Sequence, residues 1–351
     1  VSASEKPVGQ LVGVSKIGYL FDGRLNDSFK IVNQLLSQGV RVMRVDQSLT
    51  VGEKHFPPGA FGVSAESKGM LEAIAQDSGV TFYALEQELA ADNHETKQLR
   101  IGMYQRYRGG NMDEGWTRLV LEQFGFPYQT LKDDAIKAGD PSAGSGQPLN
   151  QSLDVIILPS DSTATIVGEE KDEEDKEESK EFDVPPEYRS GIGKAGVKAI
   201  KQFVENGGTL VTINQACEFA IEKLGLRVEN VLKEKSSKTF FCPGCTLKVR
   251  INTNHPLAYG MPEEALVLFW DSPTFEVLPS RFSERYEIIV QYPEKDLLQS
   301  GWLVGEEQIA EKAAMVSAQY GAGRVILFGC RPQHRAQTHG TFKLFLNALI
   351  G

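Results

Sequence analysis

The run Asp154-Val-Ile-Ile-Leu-Pro159 limits the folds open to this chain more than any other stretch. Neighbouring residues of a strand point to opposite faces, so a strand this apolar needs cover on both sides. That condition is met at the centre of a parallel sheet flanked by helices. The surroundings fit. Arg100 to Tyr104 (RIGMY) reads as a first strand. Asp113 then caps a helix with Trp116, Leu119, Val120 and Phe124 on one face. Pro127 to Leu131 is a second strand and Asp154 to Pro159 the third. Lys194 to Asn206 is a helix with Val197, Ile200 and Val204 inward, stopped by Gly207-Gly208. Thr209 to Ile213 (TLVTI) is a fourth strand, followed by the helix Cys217 to Leu224. Gly323 to Phe328 gives the last strand and Thr341 to Leu349 the closing helix. Right-handed crossovers turn this order into an α/β fold: a doubly wound, mostly parallel, flavodoxin-like sheet with helices on both faces.

Residues 1–98 read as a smaller α/β domain ending in a linker, and residues 99–351 as the main domain. In the first, Lys16 to Phe21 is a strand and Asn26 to Gln38 a helix with Phe29, Val32, Leu35 and Leu36 at helical spacing. Gly39 ends it and Val40 to Val45 follows as a strand. After a turn at Phe56 to Phe61, Lys68 to Asp77 is a helix and Val80 to Leu85 a strand. The alternation predicts a parallel sheet, and polar Leu89 to Gln98 reads as the linker. Between Lys238 and Val316 strand-like runs alternate with turns, predicting β-rich additions that extend or cap the main sheet. Gly139 to Gln151 predicts a mobile loop. Glu169 to Glu181 (EEKDEEDKEESKE) predicts a solvated, disordered acidic insertion near 165–185, since it lacks the glycine and ligand spacing of a calcium loop.

The net charge of −10 argues against a nucleic-acid partner, which needs a concentrated basic face. Much of that acidity sits in Glu169 to Glu181. No run of about 18 apolar residues is present, so no membrane partner is expected. The sequence opens on Val1 without a basic, apolar leader, which suggests a trimmed chain or a piece of a longer one. Cys242-Pro-Gly-Cys245 reads as a turn or a local disulfide rather than a metal half-site.

Ligands of open α/β sheets bind outside the carboxyl ends of the strands. Those ends carry Gln105, Arg106, Tyr107 and Arg108; Ser160, Asp161 and Ser162; Asn214, Gln215, Cys217 and Glu218; and Arg331, Gln333, His334, Arg335 and His339. Arg106, Arg108, Arg331 and Arg335 could recognise a carboxylate, or pair with Asp113, Glu114 or Asp161. Trp116 reads as core. Trp270 and Trp302 read as packing or as the lining of a peptide or sugar groove. His255 reads as a turn residue and His339 as structural.

The strand order, the helix after Thr209 to Ile213 and the final strand and helix resemble a class I glutamine amidotransferase domain. In active members a Cys flanked by glycines sits on the tight turn after the fourth strand, and a His and a Glu near the domain's end activate it. Here the turn reads Ile213-Asn-Gln-Ala-Cys217-Glu218-Phe219, without the glycines. Asn214 takes the nucleophile position if the turn is short, Cys217 if it is longer. Pro332-Gln-His334-Arg335 offers a His, but Ala336 stands where the Glu belongs. The resemblance therefore implies an inactive domain. The alternative, a hydrolase or amidotransferase using Cys217 and His334, requires positive φ at Cys217 and a His334 nitrogen within about 4 Å of its sulfur. A further alternative is a module that holds a small anion at its arginine-rich edge through Arg106, Arg331 or Arg335; the candidate binding residues are Arg106, Arg108, Asp161, Asn214, Glu218, Arg331, Arg335 and His339.

Longer runs, namely Met112 to Arg118 (MDEGWTR), Phe124 to Tyr128 (FGFPY), Asp154 to Pro159, His255 to Met261 with Pro262 (HPLAYGMP) and Arg331 to Phe342 (RPQHRAQTHGTF), resemble large zinc carboxypeptidases related to carboxypeptidase A. In that family an amidotransferase-like domain follows the peptidase domain. A zinc site there needs His-x-x-Glu. None of His55, His94, His255, His334 or His339 has a Glu three residues on. The resemblance thus implies a non-catalytic accessory domain that helps shape a peptidase's substrate cleft. It implies no cofactor in this chain, zinc belonging to the missing peptidase domain. Expected partners are that domain, in cis or in trans, and a peptide or small anion. Secreted or periplasmic location is implied on the same ground.

Overall fold

The structure, a computed structural model, describes residues 7–89, 93–107, 109–139, 147–168, 191–279 and 285–350. The first part contributes β1 (Leu11–Val12), β2 (Gly18–Phe21), α1 (Asn26–Ser37), β3 (Val42–Val45), the hairpin β4 (Leu49–Val51) and β5 (Lys54–Phe56), β6 (Phe61–Ser64), α2 (Lys68–Ser78), β7 (Phe82–Ala84) and β8 (Asn93–Glu95). Six of these strands form one sheet in the order β1-β7-β2-β6-β3-β8. The parallel sheet predicted here is corrected: β1 and β7 are parallel, but every other pairing is antiparallel. α1 carries the chain from β2 to β3 as a crossover would, yet leaves a strand's width between them, and β6 fills it in the opposite direction. Aromatic contacts select that partner. The Phe61 ring lies 5.4 Å from Phe21 and 5.6 Å from Phe29. The linker reading of Leu89 to Gln98 is also corrected, because Asn93–Glu95 pairs with β3 as an edge strand. Polar residues suit such an edge, and Arg41–Glu95 and His94–Asp46 contacts of 3.0 and 2.7 Å pin it.

The second part contributes β9 (Ile101–Tyr104), α3 (Met112–Gln123), β10 (Tyr128–Leu131), α4 (Asp133–Lys137), β11 (Val155–Leu158), α5 (Thr163–Val167), α6 (Gly193–Glu205), β12 (Thr209–Ile213) and α7 (Ala216–Leu224). It continues with β13 (Val228–Asn230), β14 (Cys245–Ile251), β15 (Glu264–Phe269), β16 (Phe275–Val277), β17 (Tyr286–Gln291), β18 (Leu298–Ser300), β19 (Ala313–Tyr320), β20 (Gly323–Phe328) and α8 (Phe342–Asn347). Five strands run parallel in the order β10-β9-β11-β12-β20. β19 then turns antiparallel to β20, and β17, β14 and β15 continue outward. The β-rich stretch thus extends the sheet, giving a mixed α/β fold. β11 has the double cover its sequence demands: Val155 and Ile157 enter one core, Ile156 and Leu158 the other.

The Val155 core is shared with the first sheet, since Phe29, Phe61 and Phe82 belong to it together with Phe342 and Phe345. Polar contacts lock the same junction. Asn33 Nδ2 donates to Phe124 O at 2.9 Å, and Arg44 Nη2 to Asn347 Oδ1 at 2.5 Å. Arg44 is buried and lies 5.1 Å from the Tyr259 ring centroid.

Two local expectations change at α3. Asn111, not Asp113, is the N-cap: its side chain accepts from Glu114 N at 3.2 Å. The buried residues are Asp113, Glu114, Thr117, Val120 and Leu121, while Leu119 is 45% exposed and Trp116 half-buried. Asp113 is free to turn inward because another residue caps the helix. The acidic run Glu169 to Glu181 and most of the Gly139 to Gln151 loop lie outside the described residues. The ends of the acidic insertion do not. Ile192 N donates to Ile166 O at 2.9 Å, and a Cβ on Gly191 would stand 2.4 Å from Gly168 Cα. The two described flanks of the insertion therefore meet at one point. Cys242 and Cys245 form a disulfide, while Cys217 and Cys330 are free and buried. Among the described residues, no helix is long and apolar enough to cross a membrane.

Candidate functional site

The parallel strands β9, β11, β12 and β20 end together, so the loops after them meet. Register sets this: Ile157 pairs with Met103 and Val211, and Ile213 with Phe328. Asn214, directly after β12, is the centre of the edge. Its φ is +53°, a left-handed conformation that Asn tolerates better than most residues. It is fully buried. Its Oδ1 accepts from Gln215 N at 2.9 Å and Ser160 Oγ at 3.3 Å, and its Nδ2 donates to Ser272 Oγ at 3.1 Å and Gly329 O at 3.4 Å.

Around this seat each buried acid has an arginine. Arg331 Nε donates to both carboxylate oxygens of Asp113, at 2.9 and 3.1 Å. Its other nitrogens reach Trp270 O and Ser160 Oγ, and its guanidinium lies 5.0 Å from the Trp270 ring centroid. Arg106 pairs with Asp161, whose other oxygen accepts from Asn111 Nδ2 at 2.7 Å. Arg118 and Gln105 share Glu114. Burial raises the carboxyl pKa of Asp113 and of Asp161, outweighing the Arg331 and Arg106 charges that lower them. Gln333 is buried and donates to Thr117 Oγ1 at 3.1 Å.

The expected catalytic pair is not assembled. The positive φ required at Cys217 falls on Asn214, and Cys217 lies within α7. Its thiol is fully buried, donates to Phe328 O at 3.4 Å and accepts from Thr212 Oγ1 at 3.4 Å. Burial pushes its pKa far up, the opposite of what a thiolate nucleophile needs. His334 stands against Trp116 and Trp270 and has no hydrogen bond to Cys217 among the described residues. Its pKa is lowered by burial and then by the Arg331 and Arg335 charges.

Of the expected binding residues, Arg106, Asp161, Asn214 and Arg331 do meet, but each is already engaged: Arg106 with Asp161, Arg331 with Asp113, and Arg331 and Asn214 both with Ser160. Glu218 is turned away, holding Asn230 at 2.8 Å and Lys233 at 3.3 Å. His339 is exposed; its ring packs 4.7 Å from Phe342 and its carbonyl accepts from Asn26. Arg335 is exposed. Arg108 lies outside the described residues.

No family model matches the chain. No curated protein matches it either. Solved structures do. Cytoplasmic Protein STM3548 from Salmonella typhimurium shares 13% identity over 72% of this chain and 98% of its own, with a TM-score of 0.41. A ThuA-like protein from Bacteroides uniformis shares 14% identity over 75% and 93%, at TM-score 0.38. A GMP synthase-like protein from Thermoplasma acidophilum shares 13% over 72% and 94%, at TM-score 0.40.

The sequence reading missed Asn111, Asp271 and Ser272 as members of this edge. Ser272 holds Asn214, and Asp271, itself at φ +48°, accepts from Gln215 Nε2 at 2.9 Å. They arrive from the far end of β15. Their one signal in the sequence was Trp270, a groove candidate by its residue type.

Proposed function

We propose that this chain is a non-catalytic accessory module of a zinc carboxypeptidase-like protein, built on a class I glutamine amidotransferase-like core. The strand order β10-β9-β11-β12-β20, with a helix after β12 and a closing helix after β20, supports that core. The observation that carries the loss of activity is the seat of Asn214. The strained turn that would present a nucleophile presents a carboxamide, which cannot attack a carbonyl carbon. Both ends of that amide are tied and the residue is sealed from solvent. The long motif resemblance supports the peptidase relation, with zinc and its ligands supplied by the peptidase domain. Export follows from the same resemblance, and the Cys242–Cys245 disulfide suits an oxidising compartment.

The test uses the purified chain and its Cys217→Ala variant, assayed for peptide, amide and glutamine hydrolysis. Both should show no turnover above buffer. Turnover that disappears in the variant would overturn the non-catalytic reading. Binding to a peptidase domain from the same reading frame or gene cluster tests the accessory role, and its absence would overturn that half.

A further inference from the structure

Beside the sealed Asn214 seat the same edge has an open part. Trp270 keeps 39% of its surface exposed. Trp116 is half-buried, and the His334 imidazole stands nearly edge-on to both, 4.8 Å from the Trp116 ring and 5.7 Å from the Trp270 ring. The three paired arginines of this edge, Arg106, Arg118 and Arg331, are each spent on a buried acid. Arg335 is not. It is exposed and engages no acid among the described residues. Its φ of +51°, followed by +51° at Ala336, holds the segment in a conformation non-glycine residues rarely adopt. Such strain persists where the surroundings over-determine it.

His334 adds direction. Its Nδ1 is buried with no hydrogen-bond partner. We assign the proton of the neutral ring to Nε2, because the other tautomer would bury an N–H with no acceptor. Nε2 is then a donor with no partner among the described residues. Among the described residues, one edge thus offers an unpaired guanidinium, an N–H donor without an acceptor and an exposed indole.

We propose that Trp270, His334 and Arg335 form a binding site for a small aromatic carboxylate. The carboxylate accepts from Arg335 and from His334 Nε2–H, and the ring packs on the exposed part of Trp270. Planar, charge-assisted recognition of this kind is what a guanidinium does best, and an aromatic body is what an exposed indole accommodates. The site does not depend on the accessory role. It narrows the expected anion-binding edge to the one arginine among Arg106, Arg331 and Arg335 that engages no acid among the described residues.

Calorimetric titration of the full chain with benzoate, benzamide and acetate at constant ionic strength tests this. Benzoate should bind saturably, with benzamide and acetate each at least tenfold weaker. Arg335→Gln and Trp270→Leu should each weaken benzoate at least tenfold, while the melting temperature shows that both remain folded. Arg335→Lys should recover part of the loss, as a point charge lacking the fork. Absence of saturable benzoate binding would overturn the proposal. So would variants that bind benzoate as wild type does, or acetate and benzamide binding as tightly as benzoate.

Discussion

Arg331 holds both carboxylate oxygens of Asp113 through a single nitrogen, at 2.9 and 3.1 Å, with both side chains about nine-tenths buried. The contact joins the loop after β20 to the first turn of α3, across a separation of 218 residues. It closes the strand edge on itself. A buried pair broken on one side leaves an uncompensated charge. Arg331→Met should therefore cost about 3–5 kcal/mol. Asp113→Asn should cost at least as much, because it strands a guanidinium that cannot shed its proton, whereas Asp113 left without Arg331 can neutralise itself by taking one up. Urea unfolding measures both, and a loss under about 1 kcal/mol for Arg331→Met would show that the pair does not hold the edge.

Asn214 can be separated into backbone and side chain by two substitutions. Asn214→Gly removes the amide's hydrogen bonds but accepts φ +53° without strain. Asn214→Ala removes the same bonds and adds the left-handed penalty of about 1–2 kcal/mol. Alanine should be the less stable of the two by that margin in chemical denaturation. Equal stabilities would mean that the turn relaxes.

Thiol chemistry should be silent in the native state. Cys217 and Cys330 are both fully enclosed, and burial pushes the Cys330 thiol up to about 12. A disulfide reagent such as DTNB should titrate neither until denaturant is added, and then both. Rapid native reaction that Cys217→Ser removes would revive the thiolate reading.

His255 caps the short helical turn after it: its Nδ1 accepts from Leu257 N at 3.1 Å. Burial lowers its pKa below the ordinary histidine value despite the Glu287 carboxylate. As pH falls past about 6.5 the unfolded chain takes up a proton before the folded one does. The stabilisation is therefore complete above that pH and is lost as pH falls through the folded value. His334 has the same sign. Melting temperatures between pH 7.5 and 5 should fall for wild type and fall less for His255→Asn, which keeps an acceptor at the cap without titrating there. An unchanged pH slope would remove His255 as a cause.

Much of the second sheet was legible because its strands are short apolar runs bounded by amphipathic helices. β11, β12, α6 and β20 follow the patterns of Asp154 to Pro159, Thr209 to Ile213, Lys194 to Asn206 and Gly323 to Phe328 closely. What could not be read was pairing over distance. Nothing local at Phe61 says that β6 will slip between β2 and β3. Nothing near Asn214 announces Ser272, which reaches it from 58 residues away. The Asn111 cap was missed because Asp113 satisfies the same local preference and is drawn inward by an arginine far along the chain. The site followed the same division. Positions after the strands were readable, but which arginine is spent on an acid was decided by tertiary contacts.

Gly168 and Gly191 stand in contact, so whatever joins them closes a loop at one point. The two anchors meet whatever lies between them in sequence, and extending a closed loop costs only slowly growing entropy. That contact is a natural grafting point, where a reporter domain with adjacent termini could be inserted.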